Sequence, residues 1–235
     1  MRTGRTGAAS VADFRSEVAA AALDLFTANG YDPTSVGDIA LAAGISRSTF
    51  FRQFRAKEDV IFADHEALFV QLGDFLAGSH PDPWEAVCQA AALVFGKFAE
   101  DRDIARKRFQ VVQAVPALRD RETIMVSRYE RLFSDYLRKA LPGLATLDAI
   151  RFASAVTSTH NYVLREMMLD SPRGSVRNLD HELLAVRRLF GLLPPGSPSA
   201  AAPTEDDLVV AVFPRSTPTA EVARRIQETL DGRSA

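Results

Sequence analysis

The chain has 235 residues, 47% hydrophobic and 25% charged, with a formal net charge of −2. That supplies apolar material for a sizeable core, and its bulk charge does not mark a nucleic-acid partner. One cysteine, Cys88, excludes an intrachain disulfide and any multi-thiolate metal site. There is no apolar leader region and no run of about 18 apolar residues, so a cytoplasmic protein without a membrane span is expected.

Residues 1–10 (MRTGRTGAAS) read as a flexible basic arm. Ser10 and Asp13 have capping-box spacing, and Phe14, Val18, Ala21/Ala22 and Leu25 recur at helical spacing. NGYDP stops this helix, with Gly30 suited to a left-handed position and Pro33 beyond it. Thr34 or Ser35 can cap a short second helix ending at Gly44, and a third follows from Ser46 to Phe54. Lys57 opens a longer fourth helix that reaches the break GSHPDP at residues 78–83. Asp82 as N-cap and Pro83 at the first helical position start a fifth, through Phe98.

Residues 101–141 read as two helices parted at Pro116, followed by a long helix over 147–169 and another over 178–193. PPGSPSAAAP is a linker by composition. DDLVVAVF then suggests a short strand, and Thr217-Pro218 a last amphipathic helix. The expected organisation is therefore all-α apart from that strand. It comprises an arm (1–10), a helix-turn-helix domain (11–56), a helical body (57–193), a linker (194–206) and a strand-helix appendage (207–235).

The charge is uneven: residues 1–57 hold seven Lys/Arg against five Asp/Glu. Within them, TSVGDIALAAGISRSTFFRQF places two short helices around a Gly-containing turn, the second opening on Arg47, Ser48 and Thr49. Short polar and arginine side chains suit base edges in a major groove, and hydroxyls and cations suit phosphates. The expected DNA-contacting set is Thr34, Ser35, Ser46, Arg47, Ser48, Thr49, Phe51, Arg52 and Lys57. Lys57 belongs to it because a cation at a helix N-terminus opposes the dipole unless a phosphate faces it. Phe50 and Phe54, four apart, should anchor the reading helix inside, whereas Phe51 lies on another face.

Over residues 11–62 the pattern T-S-V-x-D-I-A-x-A-A-G-I-S-R-S-T-F-F-R-x-F-x-x-K-E-D-V resembles the TetR family of bacterial transcriptional regulators. The resemblance implies a three-helix DNA-binding head on a larger helical body that dimerises and holds a small-molecule pocket, ligand binding changing the spacing of the heads. It implies double-stranded DNA with a palindromic operator as partner, a repressor more than an activator, and no cofactor. This sequence departs from the family pattern at three places. Phe51 stands where Tyr is usual, Gln53 where His is frequent, and Gly37 where a cation is common, which together lighten the grip on phosphate.

Residues 82–193 resemble more loosely the members of that family that bind acyl-CoA-like ligands, through PALRDR (116–121) after a helix bearing Arg106, Lys107 and Arg108. A fatty-acyl thioester needs a long apolar tunnel with cations at its mouth. Phe95, Phe98, Phe109, Met125, Tyr129, Phe133, Tyr162 and Met167 are the expected lining, and Arg106 and Arg121 the expected cations. The alternative is ordinary core aromatics and solvated arginines.

A face of small residues over 149–158 (Ala149, Ala153, Ser154, Ala155, Thr157, Ser158) fits either a homodimer interface or an intrachain contact. An enzyme is not expected: the four histidines show no ligand-pair spacing, and His65 between Asp64 and Glu66 reads as solvated charge. A helical protein-interaction module with a degenerate head is the remaining alternative.

Overall fold

Helix α1 (Gly4–Asn29) turns Val18, Ala22 and Phe26 to one face at helical spacing, and all three are buried. The computed structural model describes residues 4–193. Because α1 begins at Gly4, most of the segment read as a flexible arm is helical instead. Extending a helix over Ala8 and Ala9 fixes few new torsions per hydrogen bond, so propagation carried it past the expected cap at Ser10. Gly30 then takes φ 88 and closes the helix by donating to the Phe26 carbonyl at 3.0 Å.

The short helices α2 (Val36–Ala42) and α3 (Arg47–Gln53) meet across Gly44, whose φ of 66 turns the chain. Ile39, Phe50 and Phe54 are buried against α1, the two rings 5.1 Å apart. These phenylalanines hold α3 in place.

The helix expected to run unbroken from Lys57 is two: α4 (Lys57–Ile61) and α5 (Ala63–Leu76). Phe62 leaves helical torsions (φ −106, ψ 18) while its side chain stays buried. Sequence periodicity does not register the break, because apolar residues continue on both sides of it.

The body follows as α6 (Pro83–Glu100), α7 (Arg102–Ala114), α8 (Pro116–Ala140), α9 (Thr146–Met168) and α10 (Val176–Leu189). Asp82 caps α6 by accepting from Trp84 N and Glu85 N, and Pro83 and Pro116 occupy first turns, where a missing N–H is harmless. Helix α9 packs along α8, α6 and α10, and Arg187 of α10 ion-pairs with Asp82 and Glu85 at the start of α6.

The described residues are helical without strands. The linker and the strand-helix appendage expected at 194–235 lie outside them. No helix of the described residues is long and apolar enough to cross a membrane.

Candidate nucleic-acid interface and effector cavity

Helix α3 is built to show one face. Ser46 caps it by accepting from Thr49 N at 3.0 Å, and its hydroxyl also lies 2.8 Å from Ser48 Oγ and 2.9 Å from Thr49 Oγ1. At the other end Arg15 of α1 donates to the Gln53 carbonyl at 2.7 Å and covers the Phe54 ring. With Phe50 and Phe54 turned inward, Arg47, Ser48, Phe51 and Arg52 face solvent, Phe51 retaining 51% of its exposure. Among the described residues, no carboxylate pairs with Arg47, Arg52 or Arg55, although many arginines of the body are so paired.

Two residues expected at this surface are placed otherwise. Thr34 is buried, its hydroxyl donating to the Gly30 carbonyl at 2.7 Å; Ser35 is the cap of α2, in a reciprocal box with Asp38. Lys57 points back into the head. Its ammonium donates to the Tyr31 and Thr34 carbonyls at 2.7 and 3.0 Å and sits 4.0 Å from the Tyr31 ring centroid. The dipole argument for a phosphate at Lys57 fails because Glu58 and Asp59 supply the negative charge in that first turn, and Asp59 accepts from Arg55 N and Ala56 N.

The body encloses a cavity of about 310 Å³ among α5, α6, α7, α8 and α9. Its wall is mostly apolar, with Phe98, Phe109, Met125 and Phe133 prominent. Phe62 and His65, on either side of the start of α5, also line it. His65 Nδ1 lies 2.9 Å from the Tyr129 hydroxyl, and burial together with the nearby Arg108 cation pulls the histidine down to about 3. Arg108 lines the cavity and pairs with Asp64 at 2.6 Å; Asp64 also accepts from Ser16 of α1. Burial raises the Asp64 carboxyl, but the Arg108 guanidinium and these hydrogen bonds outweigh it and hold the group below the usual carboxylate range.

Residues 18–63 match the family model described as bacterial regulatory proteins, tetR family. The chain is similar to that family over α2, α3, α4 and the second half of α1. It is 32% identical over 128 residues to MftR of Mycobacterium tuberculosis, whose name assigns it to the regulation of mycofactocin biosynthesis. That match covers 53% of this chain and 64% of MftR, less than two thirds of the relative's length. SmeT, solved in complex with triclosan, shares the fold with a TM-score of 0.57 at 19% identity, over 82% of this chain and 100% of that one. FadR from Bacillus subtilis, solved with stearoyl-CoA, does so with a TM-score of 0.53 at 19% identity, over 72% of this chain and 96% of that one.

In the helical body the expected lining residues divide. Phe98, Phe109, Met125, Tyr129 and Phe133 come together at the cavity. Phe95 and Met167 are buried elsewhere in the core, with Met168 at the wall instead, and Tyr162 is 48% exposed with Arg173 donating to its hydroxyl. Neither expected cation is at the wall: Arg106 pairs with Asp170, and Arg121 pairs with Asp59 of α4.

His65, Glu122, Thr157, His160 and Arg165 are among the polar lining that sequence reasoning missed. One available signal was helical phase, since His65 shares a face with Leu68, Phe69 and Leu72 rather than with Asp64 and Glu66.

The small-residue face also divides. Ala149, Ala153 and Thr157 are buried within the chain, which accounts for them as an intrachain contact, while Leu147, Ile150, Ser158 and Tyr162 of the same helix are exposed.

Proposed function

We propose that the chain is a ligand-responsive, sequence-specific DNA-binding transcriptional regulator, acting as a dimeric repressor released from a palindromic operator when its cavity fills. The observation that carries the reading is the outward face of α3, where Arg47, Ser48 and Arg52 stand free of carboxylates among the described residues on a helix anchored from behind by Phe50 and Phe54. Such a face can present hydrogen-bond donors to bases and cations to phosphates. The exposed apolar residues of α9 support a second copy as partner, related by a two-fold axis that mirrors the operator.

The cavity supports the ligand response through its position. Phe62 lies at the α4–α5 break, and Arg108 reaches α1 through Asp64 and Ser16. A ligand that shifts either residue displaces elements that carry the head. Linkage makes the effect mutual, so DNA weakens the ligand as the ligand weakens DNA, by about 1–3 kcal/mol in typical cases. A small hydrophobic molecule, as in the SmeT–triclosan complex, suits this cavity better than the acyl-CoA that the looser sequence resemblance implies. The volume is small, and Arg106 and Arg121 are already paired.

The test is selection of bound sequences from a random duplex library by the purified chain at moderate salt. Recovery of a palindrome is the expected result. Absence of any enriched sequence from folded protein, with and without candidate ligands, overturns the reading in favour of a protein-interaction module.

A further inference from the structure

Among the residues that line the cavity, Arg108 Nε, Thr157 Oγ1 and His160 Nε2 are buried without a partner, and the last two come from one helix. Helix α9 contributes Thr157 and His160 to that wall, three residues apart and therefore on one face. Both are buried, at 4% and 7% of full exposure. Thr157 Oγ1 and His160 Nε2 make no hydrogen bond. A helical threonine commonly bonds its hydroxyl to the carbonyl one turn back, and this one does not. Leaving a buried polar group unsatisfied costs the full loss of its hydration. Two such groups on one helix face, in a mostly apolar wall, mark a place where a bound molecule can supply the missing bonds.

The donor pattern says what that molecule must carry. His160 Nδ1 lies 3.1 Å from Asn161 Oδ1, an acceptor, so the ring proton belongs on Nδ1 and Nε2 is left as an acceptor. Burial holds the ring down to about 4, which keeps it neutral near neutral pH. The Thr157 hydroxyl can give or accept. A group that donates to the first atom and accepts from the second satisfies both. A hydroxyl does so; a carboxylate has no proton to give, and an ammonium, which could donate to both atoms, would bury its charge in a mostly apolar wall that already holds the Arg108 cation.

On the reading of this cavity as the effector site, we propose that its ligand is a compact, uncharged, largely apolar molecule bearing a hydroxyl, as in a phenol, that donates to His160 Nε2 and accepts from Thr157 Oγ1. Phe98, Phe109 and Phe133 supply the aromatic surround for its ring, and about 310 Å³ sits at the small end for ligand pockets.

Calorimetric titration of the full chain with β-naphthol and with naphthalene, the same rings with and without a hydroxyl, tests the assignment. β-Naphthol is expected to bind about tenfold more tightly. Thr157→Val and His160→Leu are each expected to shrink that ratio toward unity. Equal affinity for the two probes, or a ratio unmoved in Thr157→Val, overturns the hydroxyl assignment and leaves the cavity standing as an effector site. If neither probe binds, the cavity reading falls and the ligand class falls with it. Should His160→Leu fail to fold, the near-isosteric Thr157→Val carries the comparison.

Discussion

The Arg108 guanidinium lies 2.6 Å from the Asp64 carboxylate, with both side chains largely removed from water, and the pair joins the cavity wall on α7 to the first turn of α5. Asp64 extends the connection to Ser16 of α1 at 3.1 Å. Lys107 of the same helix also reaches α1, at Asp24, but that pair is exposed and solvent screens it. The buried pair is therefore the better shielded of these two links to α1.

Breaking the pair from one side strands a buried charge. Arg108→Ala is expected to cost about 3 kcal/mol of stability, within the range for removing one partner of a buried ion pair. The double variant Arg108→Met/Asp64→Leu should recover most of it. Urea denaturation of the two single variants and the double variant measures the coupling, and strict additivity would show that the pair does not act as a unit.

Lys57 and Arg47 should separate stability from recognition. Lys57→Met removes two hydrogen bonds to the Tyr31 and Thr34 carbonyls and is expected to lower stability by about 1–3 kcal/mol. Arg47→Ala should leave stability unchanged, weaken the selected operator by about 1–3 kcal/mol and relax preference at one base position. Denaturation midpoints beside binding measurements at several salt concentrations read both effects. A Lys57→Met variant of native stability with a flattened salt slope would restore Lys57 to the phosphate-contacting set.

Acid should loosen the body before it reaches the carboxylates. His160 is held at about 4 in the folded chain by burial, against an ordinary value of 6.5. Below pH 6.5 the unfolded chain takes a proton that the folded one refuses, so stability is complete above that pH and is lost as pH falls toward 4. The slope is roughly 1.4 kcal/mol per pH unit for one such histidine. His65, held down to about 3, adds in the same direction. Thermal unfolding of wild type and His160→Leu across this window should show a shallower slope in the variant, and parallel curves would remove His160 as a cause.

Two glycines should respond oppositely to alanine. A Cβ on Gly174 would meet the Met167 backbone nitrogen at 2.1 Å, so Gly174→Ala must push the loop off α9 and is expected to cost about 2 kcal/mol or more. A Cβ on Gly37 would come no nearer than 3.4 Å, to Ser35 Oγ, and Gly37→Ala is expected to stabilise α2 by about 0.5–1 kcal/mol. Chemical denaturation midpoints decide both signs.

The helices and their ends follow from local chemistry, so they could be read along the chain. Gly30, Gly44, Asp82, Pro83 and Pro116 act where they stand because caps and turns depend on neighbours within a few residues. The face of α3 was legible for the same reason, since Phe50 and Phe54 four apart determine which side turns inward. Partners distant in sequence were beyond that reach. Thr34 and Lys57 were read as surface groups, but Lys57 closes on carbonyls 23 and 26 residues away. Arg121 meets Asp59 across 62 residues and Arg108 meets Asp64 across 44, so cations that could have served a ligand's phosphates are already paired with carboxylates. Spacing and capping were enough to read most of the helices of the described residues and the outward side of α3. Which charges remain free, and which polar atoms (Thr157 and His160 among them) face the cavity unmatched, depends on burial and pairing, and local periodicity does not encode those contacts.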